Sequence, residues 1–439
     1  MPAPAPLPVV GGTHPRDVAV LRGRLAEILQ APGRQAGPLL PVAPGQETTS
    51  ACAHPGALPQ GTDILLRTSG STTGTGRLVA MSAAALLASA RSTHARLGGP
   101  GTWALALPSH HVAGLQILVR GLVAGTDPVV VDTSAGFRPP DLARELERAR
   151  ATAQRLYTSL VPTQLLRALE HPGAVAALAR ADAVLLGGAA PPPGLVDRAR
   201  QAGIAVVTTY GMSETGGGCL YDGVPLDGVE VALDAEGRVL ITGPVLAQGY
   251  AHPGGSHHEA GAADPAPGSE MGREPLWRAG ERLGHRVAEG FHTWRRPAGR
   301  GTGSGATSGS LRVLATSDRG RLACGRLQVL GRMDGVIITG GIKVEPSAVE
   351  AALLSIEGVA QAAVVGLPDA QWGSAVVAAV VPAPGARLDE RALRLAARAR
   401  LDGAHAPKAI AVLDELPLRG PGKVDAPALR RILADRLDP

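Results

Sequence analysis

Aromatic residues are scarce: four tryptophans, four tyrosines and two phenylalanines make up 2% of 439 residues. So few flat side chains exclude a stacking platform for single-stranded nucleic acid. Lysine is scarcer still. Only Lys343, Lys408 and Lys423 occur among 43 basic residues, which leaves 40 arginines. The arginines interleave with acids, as in Glu145–Arg150, and the formal net charge is only +5, so no basic block marks a nucleic-acid surface. Three distant cysteines (Cys52, Cys219, Cys324) exclude a disulfide framework and a CxxC-type zinc site. Apolar runs such as Ser374–Val381 fall short of the ~18 residues that span a bilayer. The opening MPAPAPLPVVGG has no basic region and no continuous apolar stretch, unlike a secretory signal. These absences predict a cytoplasmic protein, monomer or homo-oligomer, with no nucleic-acid or membrane partner.

What is present is ample core-forming material, 45% apolar and 18% charged. The length allows about three domains. Pro15–Gln30 has helical spacing, and residues 31–61, rich in Pro and Gly, read as loop. Beyond them, β-prone runs at 62–67, 102–107, 128–132, 155–158, 182–186 and 205–208 alternate with helical patterns at 82–97, 111–124, 140–150, 161–170 and 192–202. That alternation predicts a mostly parallel sheet covered on both faces. A strand-rich stretch covers 226–250. Residues 251–310 lack periodicity and predict a flexible surface insertion, with a helix around Trp277–Val287 as the alternative. Strand character returns at 311–332. From Gly335 a small α+β unit follows: helices at 346–355, 388–400 and 425–436, strands at 359–366, 374–382 and 409–413. The boundary falls at Arg332–Gly335.

Four segments carry chemistry. Arg67–Val79 (RTSGSTTGTGRLV) lies between a predicted strand and a predicted helix. Its glycines let backbone N–H groups approach an anion, hydroxyls add donors, and Arg77 adds charge at the helix entrance. It suits phosphate without Walker A spacing; alone, it also reads as a polar loop. Thr208–Gly218 (TTYGMSETGGG) places an aromatic, a glycine turn, a hydroxyl and a carboxylate in five residues, suiting a flat base at Tyr210 and a hard cation on Glu214. Its bland counterpart is a helix start capped by Ser213 or Thr215. In Thr316–Glu345, Asp318 suits a diol and Arg332 suits ribose or phosphate oxygens; otherwise they form a hairpin ion pair. Leu416–Asp425 presents Lys423 from a glycine-rich turn, where a lone lysine is ordinarily solvated.

In this order the segments resemble the signature motifs of the acyl-adenylate-forming superfamily, which holds acyl-CoA and aryl-CoA synthetases, adenylation domains and luciferases. The phosphate loop looks like Thr68–Arg77, and the Tyr-Gly-x-(Ser/Thr)-Glu motif is Tyr210–Glu214. The ribose motif looks like Thr316–Gly320, the hinge is Gly331–Asp334, and the C-terminal Gly-Lys is Gly422-Lys423. The resemblance runs from about 62 to 430, apart from 251–310. Leu107–Gln116, Ser159–Leu166 and Leu186–Ala190 further resemble the branch that activates o-succinylbenzoate in menaquinone biosynthesis.

The resemblance implies an α/β protein. A large N-terminal domain (1–333) would hold mostly parallel sheets flanked by helices plus a β-rich subdomain, and a small mobile α+β domain (334–439) would follow. It implies a ligase that uses ATP, Mg²⁺ and CoA to turn an aromatic carboxylic acid into an acyl-adenylate and then a thioester. Lys423, Glu214 and Arg77 take the catalytic roles, with Glu214 also the metal ligand. Thr68, Ser69, Gly70, Ser71, Thr72, Thr73, Gly74, Tyr210, Gly211, Ser213, Asp318 and Arg332 hold the nucleotide. His111, Gly187, Gly188 and Ala189 line the acyl pocket, Asp334 is the hinge, and Gly340 and Gly341 guide CoA. Some positions depart from the family: an extra hydroxyl residue in STTG, Gly76-Arg77 for Pro-Lys, Ser317 and Arg319 in the ribose motif, and Gly335 for an acid. The alternatives are another aryl- or fatty-acyl-CoA ligase, a carrier-protein adenylation domain (no carrier signature follows), and a non-enzymatic nucleotide-binding relic.

Overall fold

The computed structural model describes residues 5–46, 58–68, 77–251, 287–295, 310–333, 335–401, 403–420 and 422–437. Ser69–Gly74, Asp334 and most of 251–310, including the alternative helix up to 286, lie outside them.

The first helix forms where its spacing predicts, Pro15–Gln30, with proline in the first turn and Val18, Leu21, Leu25 and Ile28 buried. The loop predicted over 31–61 contains a strand instead. Leu39–Val42 is buried at every position and runs parallel to both Leu7–Val10 and Ile64–Arg67. Four buried apolar residues beside prolines give no alternation to read. The sheet is completed antiparallel by Leu78–Met81 and Gly249–Ala251. The glycine- and hydroxyl-rich segment therefore connects two antiparallel strands, not a strand to a helix, and Arg77 precedes a strand; the helix begins only at Ala83.

A second sheet has seven strands, of which Val206–Met212, Ala183–Leu186, Leu156–Leu160, Thr102–Leu105 and Val129–Val130 are parallel, in that spatial order. Gly217–Tyr221 and Val224–Pro225 extend it antiparallel. Helix Val112–Ala124 is buried over most of its length in the core shared with the first sheet, and helix Pro172–Ala179 is one that periodicity missed. A third sheet joins Glu230–Leu233, Arg238–Thr242, Ser310–Ala323, Gly290–Arg295 and Arg326–Arg332. Strand Gly290–Arg295 corrects the reading of 251–310 as wholly flexible: it pairs with Ser310–Ala323 across six positions.

The C-terminal unit has its own two cores, one on each face of a three-stranded sheet. Along Val359–Asp369 and Gly373–Pro382, Val364, Val376 and Ala378 face helices Pro346–Leu354 and Glu390–Arg398. The alternate residues Ala363, Val365 and Val377 face Leu429 and Leu433 of helix Ala426–Leu437. The architecture is the α/β arrangement expected, with a large N-terminal part, a β-rich subdomain and a small C-terminal unit.

Candidate active site

The strand Val206–Met212 runs straight through Tyr210 and Gly211 before the chain turns at a short 3₁₀ segment, Ser213–Thr215. The turn needs glycine: a Cβ on Gly211 would lie 2.0 Å from the Gly217 carbonyl oxygen. Thr215 Oγ1 accepts from the Met212 N–H at 2.9 Å and fixes the turn that carries Glu214. Tyr210 donates its hydroxyl proton to Asp318 Oδ2 at 2.7 Å. Burial first, and the Asp318 carboxylate second, push the Tyr210 hydroxyl well above its usual pKa. Asp318 and Arg332 sit opposite each other across the Ser310–Ala323 and Arg326–Arg332 hairpin. The Tyr-Gly and Asp motifs, 108 residues apart, thus meet through one hydrogen bond.

Arg77 and Thr68 close the neck of the phosphate-loop segment. The Thr68 N–H donates to the Arg77 carbonyl and the Arg77 N–H to Thr68 Oγ1, both at 2.8 Å. The Arg77 guanidinium stands 5.0 Å from the Tyr250 ring centroid and pairs with Glu289 at 3.7 Å. Tyr250 in turn donates to Glu214 Oε1 at 3.1 Å. Burial raises the Glu214 carboxyl above its ordinary value, against the favourable fields of Lys423 and Arg77.

A cavity opens beside this cluster, and the charged side chains lining it are of one sign, with Arg419 paired to Asp425 at 3.4 Å behind them. Arg67, Arg120, Arg419 and Lys423 line it, and among the described residues no carboxylate does. Arg120 is 3% exposed, lies 4.7 Å from the Trp103 ring, and reaches the Tyr221 hydroxyl at 3.4 Å. Its Nε, and Oε1 of neighbouring Gln116, are buried without a hydrogen-bond partner among the described residues. A buried guanidinium with no carboxylate beside it is costly unless something anionic arrives. Gly187 and Gly188 line the wall, where a Cβ on Gly187 would sit 2.2 Å from Thr209 Oγ1. His111 lines the mouth. Burial, then the charges of His110 and Lys423, lower its pKa to about 3, so the ring is neutral. His110 is a structural neighbour, its Nδ1 bonded to the Gly11 carbonyl at 3.0 Å.

Lys423 reaches the cavity from the C-terminal unit on a small hairpin. Leu418 bridges Val424, and the Arg419 N–H donates to the Lys423 carbonyl at 2.7 Å. Gly420 and Gly422 adopt φ of +68° and +69°, the left-handed region that glycine enters freely. A Cβ on either would meet the N-terminal part: His111 Nε2 at 3.3 Å from Gly420, Val161 Cβ at 2.9 Å from Gly422. The hairpin therefore seats flush on the cavity mouth. Burial lowers the Lys423 pKa, while Glu214 and Asp318 favour its charge and Arg332 opposes it.

Among the sequence-predicted residues, His111, Gly187, Gly188, Gly211, Ser213 and Lys423 line the cavity. Tyr210, Asp318, Glu214 and Arg77 join them through the contacts above. Ala189 is exposed and does not line the cavity. Gly340 and Gly341 form an exposed turn elsewhere, the Gly340 N–H donating to the Trp372 carbonyl at 2.9 Å. Sequence reasoning missed Arg67, Gln116, Arg120, Arg419 and Tyr250. A signal for two of them existed: Gln116 and Arg120 stand four apart in the otherwise apolar VAGLQILVRGLVA, so one helical face is polar.

Among the described residues no group of three or more His, Cys, Asp or Glu could hold a metal ion by itself. One half-buried carboxylate, Glu214, fits a Mg²⁺ that arrives with phosphate oxygens and keeps most of its other ligands from them and from water.

Comparison with known proteins agrees with this geometry. Residues 28–251 match the AMP-binding enzyme family and residues 348–423 its C-terminal domain. A probable 2-succinylbenzoate–CoA ligase of Mycobacterium tuberculosis is 43% identical over 375 residues, 85% of each chain. A feruloyl-CoA synthase of an Amycolatopsis species is 30% identical over 74% of this chain and 60% of its own. The solved o-succinylbenzoate CoA synthetase of Bacillus subtilis, in complex with its acyl-adenylate intermediate, superposes with a TM-score of 0.61 at 25% identity, over 85% of this chain and 70% of that one. With its motifs assembled around one cavity and both family regions matched, the chain belongs to the AMP-binding enzymes.

Proposed function

We propose that the protein is an AMP-forming acid–thiol ligase that activates 2-succinylbenzoate with ATP and passes the acyl group to CoA, a step of menaquinone biosynthesis. The observation that carries the substrate reading is the cavity lined, among the described residues, by four cationic side chains and no carboxylate, with Arg120 buried in its wall and Lys423 closing its mouth. Arg120 lies nine residues beyond His111 along one helix, about 13 Å down its axis. 2-Succinylbenzoate carries two carboxylates. One would meet the buried guanidinium while the other faces Lys423 and the nucleotide. Feruloyl-CoA synthase offers a second reading, but ferulate has one carboxylate and would leave Arg120 buried without a counter-charge.

In the first half-reaction a carboxylate oxygen attacks the α-phosphorus of ATP, and the bond to pyrophosphate breaks. Lys423, whose charge Glu214 and Asp318 favour against burial and Arg332, bridges the carboxylate and α-phosphate oxygens where negative charge develops. Asp318, its carboxylate fixed by Tyr210, accepts from the ribose hydroxyls, with Arg332 beside it. The Thr68–Gly74 loop and Arg77 hold the departing phosphates. Mg²⁺ on Glu214 would neutralise phosphate charge. Neutral His111 and the Gly187–Gly188 wall shape the acyl side and exclude water.

In the second half-reaction the CoA thiolate attacks the acyl carbonyl and AMP leaves. Lys423 and its hairpin block the approach at the mouth, so the C-terminal unit turns about Asp334 and presents Gly340 and Gly341. The protein works in the cytoplasm on small molecules. The test is acid-dependent pyrophosphate release across a panel. We expect 2-succinylbenzoate to support release and ferulate, benzoate and fatty acids to do so weakly; an equal or better response to a monoacid overturns the substrate reading.

A further inference from the structure

We propose that Tyr250 is a positioning residue for adenylation, holding the Glu214 carboxylate with its hydroxyl and the Arg77 guanidinium with its ring. The proposal rests on the ligase reading for the roles of Glu214 and Arg77, but its own basis is geometric. Tyr250 lies on the short edge strand Gly249–Ala251, opposite Val79. Val79 belongs to the partner strand Leu78–Met81, which follows Arg77 directly, so ring and guanidinium are brought together by register. The guanidinium sits 5.0 Å from the ring centroid, and Glu289 pairs with it at 3.7 Å. Phe291 packs edge-on to Tyr250, with centroids 5.4 Å apart, and stops the ring from turning away.

The hydroxyl meets Glu214 Oε1 at 3.1 Å. The backbone repeats the link: the Ala247 N–H donates to the Glu214 carbonyl at 2.8 Å and the Gln248 N–H to the Ala80 carbonyl at 2.7 Å. Residues 247–250 therefore tie the turn bearing Glu214 to the strand that leaves the phosphate loop. A carboxylate with one oxygen anchored loses the rotation that would otherwise be frozen when a cation binds. Arginine at position 77 is suited to this arrangement. Its flat guanidinium stacks on a ring, which a lysine ammonium does less well. The residue that departs from the family's Pro-Lys is the one with an aromatic seat.

The test separates hydroxyl from ring by calorimetric titration of the full-length protein with ATP, once with Mg²⁺ and once with EDTA. Tyr250→Phe keeps the stack and removes the hydroxyl. We expect it to weaken MgATP binding about tenfold, the size of one hydrogen bond to a charged group, and to leave metal-free ATP binding unchanged. Tyr250→Leu should weaken both. In a Glu214→Gln background, Tyr250→Phe should add nothing further, because the hydroxyl acts through the carboxylate. Wild-type affinity in Tyr250→Phe, an equal loss with and without Mg²⁺, or a full loss persisting in Glu214→Gln overturns the positioning role. Failure of the wild-type protein to bind ATP at all would instead sink the ligase reading.

Discussion

Replacing Arg120 with methionine should lower activity toward the diacid and leave the fold intact or firmer. Arg120 is 3% exposed, its Nε has no partner among the described residues, and its contact with the Tyr221 hydroxyl is long at 3.4 Å. In the substrate-free protein, the substitution gives up a cation–π contact of about 0.5–2 kcal/mol with Trp103. It also removes a buried charge without a counter-ion, and exchanging buried charge for apolar volume is neutral to stabilising by ~1–4 kcal/mol. The melting temperature of Arg120→Met should therefore equal or exceed that of the parent. With substrate the balance reverses. Truncating one side of a desolvated charge pair costs about 2–5 kcal/mol, so kcat/KM for 2-succinylbenzoate should fall roughly 30- to 4,000-fold at 1.4 kcal/mol per factor of ten. The benzoylpropionate analogue, which lacks the ring carboxylate, should lose little. Pyrophosphate release with the two acids, on parent and variant, gives the ratio directly. An unchanged ratio refutes the assignment of Arg120 to the second carboxylate, even if both rates drop.

Other outcomes follow from the same geometry. Lys423→Ala should slow adenylation by on the order of 10²–10³, as loss of one transition-state donor does, while thioester formation from supplied acyl-AMP survives; equal loss in both steps contradicts its role. Gly422→Ala forces a Cβ to within 2.9 Å of Val161 at φ +69°, unseating the hairpin, and should likewise slow only adenylation in single-turnover assays. His94 is 5% exposed and accepts from Trp103 Nε1 at 3.2 Å; burial, then Arg120, lowers its pKa to about 4. A lowered basic pKa means the unfolded chain binds the extra proton. Stability is therefore full above pH ~6.5 and falls toward pH 4, by about 3 kcal/mol in all. Thermal melts against pH should show that slope in the parent and a shallower one in His94→Gln.

Much of this was legible in the sequence where the pattern is local. Pro15–Gln30 follows from its buried stripe, and the strands and helices from 102 to 212, apart from Pro172–Ala179, and the C-terminal unit follow from short β-prone runs alternating with helical patterns. Leu39–Val42 was not legible, since a strand buried on both faces has no alternation. The motif residues were readable through resemblance, and Tyr210 with Asp318 shows why spacing alone falls short: their contact exists only once two sheets pack. Arg120 was hidden differently. Its neighbours are apolar, so it reads as a flaw in a core helix until the cavity beside it is seen. Tyr250 stood at the edge of a segment without periodicity, where sequence carries least. The rarity of lysine was the compositional clue that held its value, for Lys423 is the lysine that reaches the cavity.

Adenylation of a two-carboxylate aromatic acid in this cavity, followed by transfer to CoA, is the reaction the site is proposed to perform. Mass-spectrometric detection of the CoA thioester and AMP, with ATP, Mg²⁺ and CoA and with 2-succinylbenzoate set beside benzoate and fatty acids, tests it most directly. 2-Succinylbenzoyl-CoA and AMP should form in equal amounts, far ahead of the products from the other acids. An inert 2-succinylbenzoate beside a well-converted monoacid would contradict it.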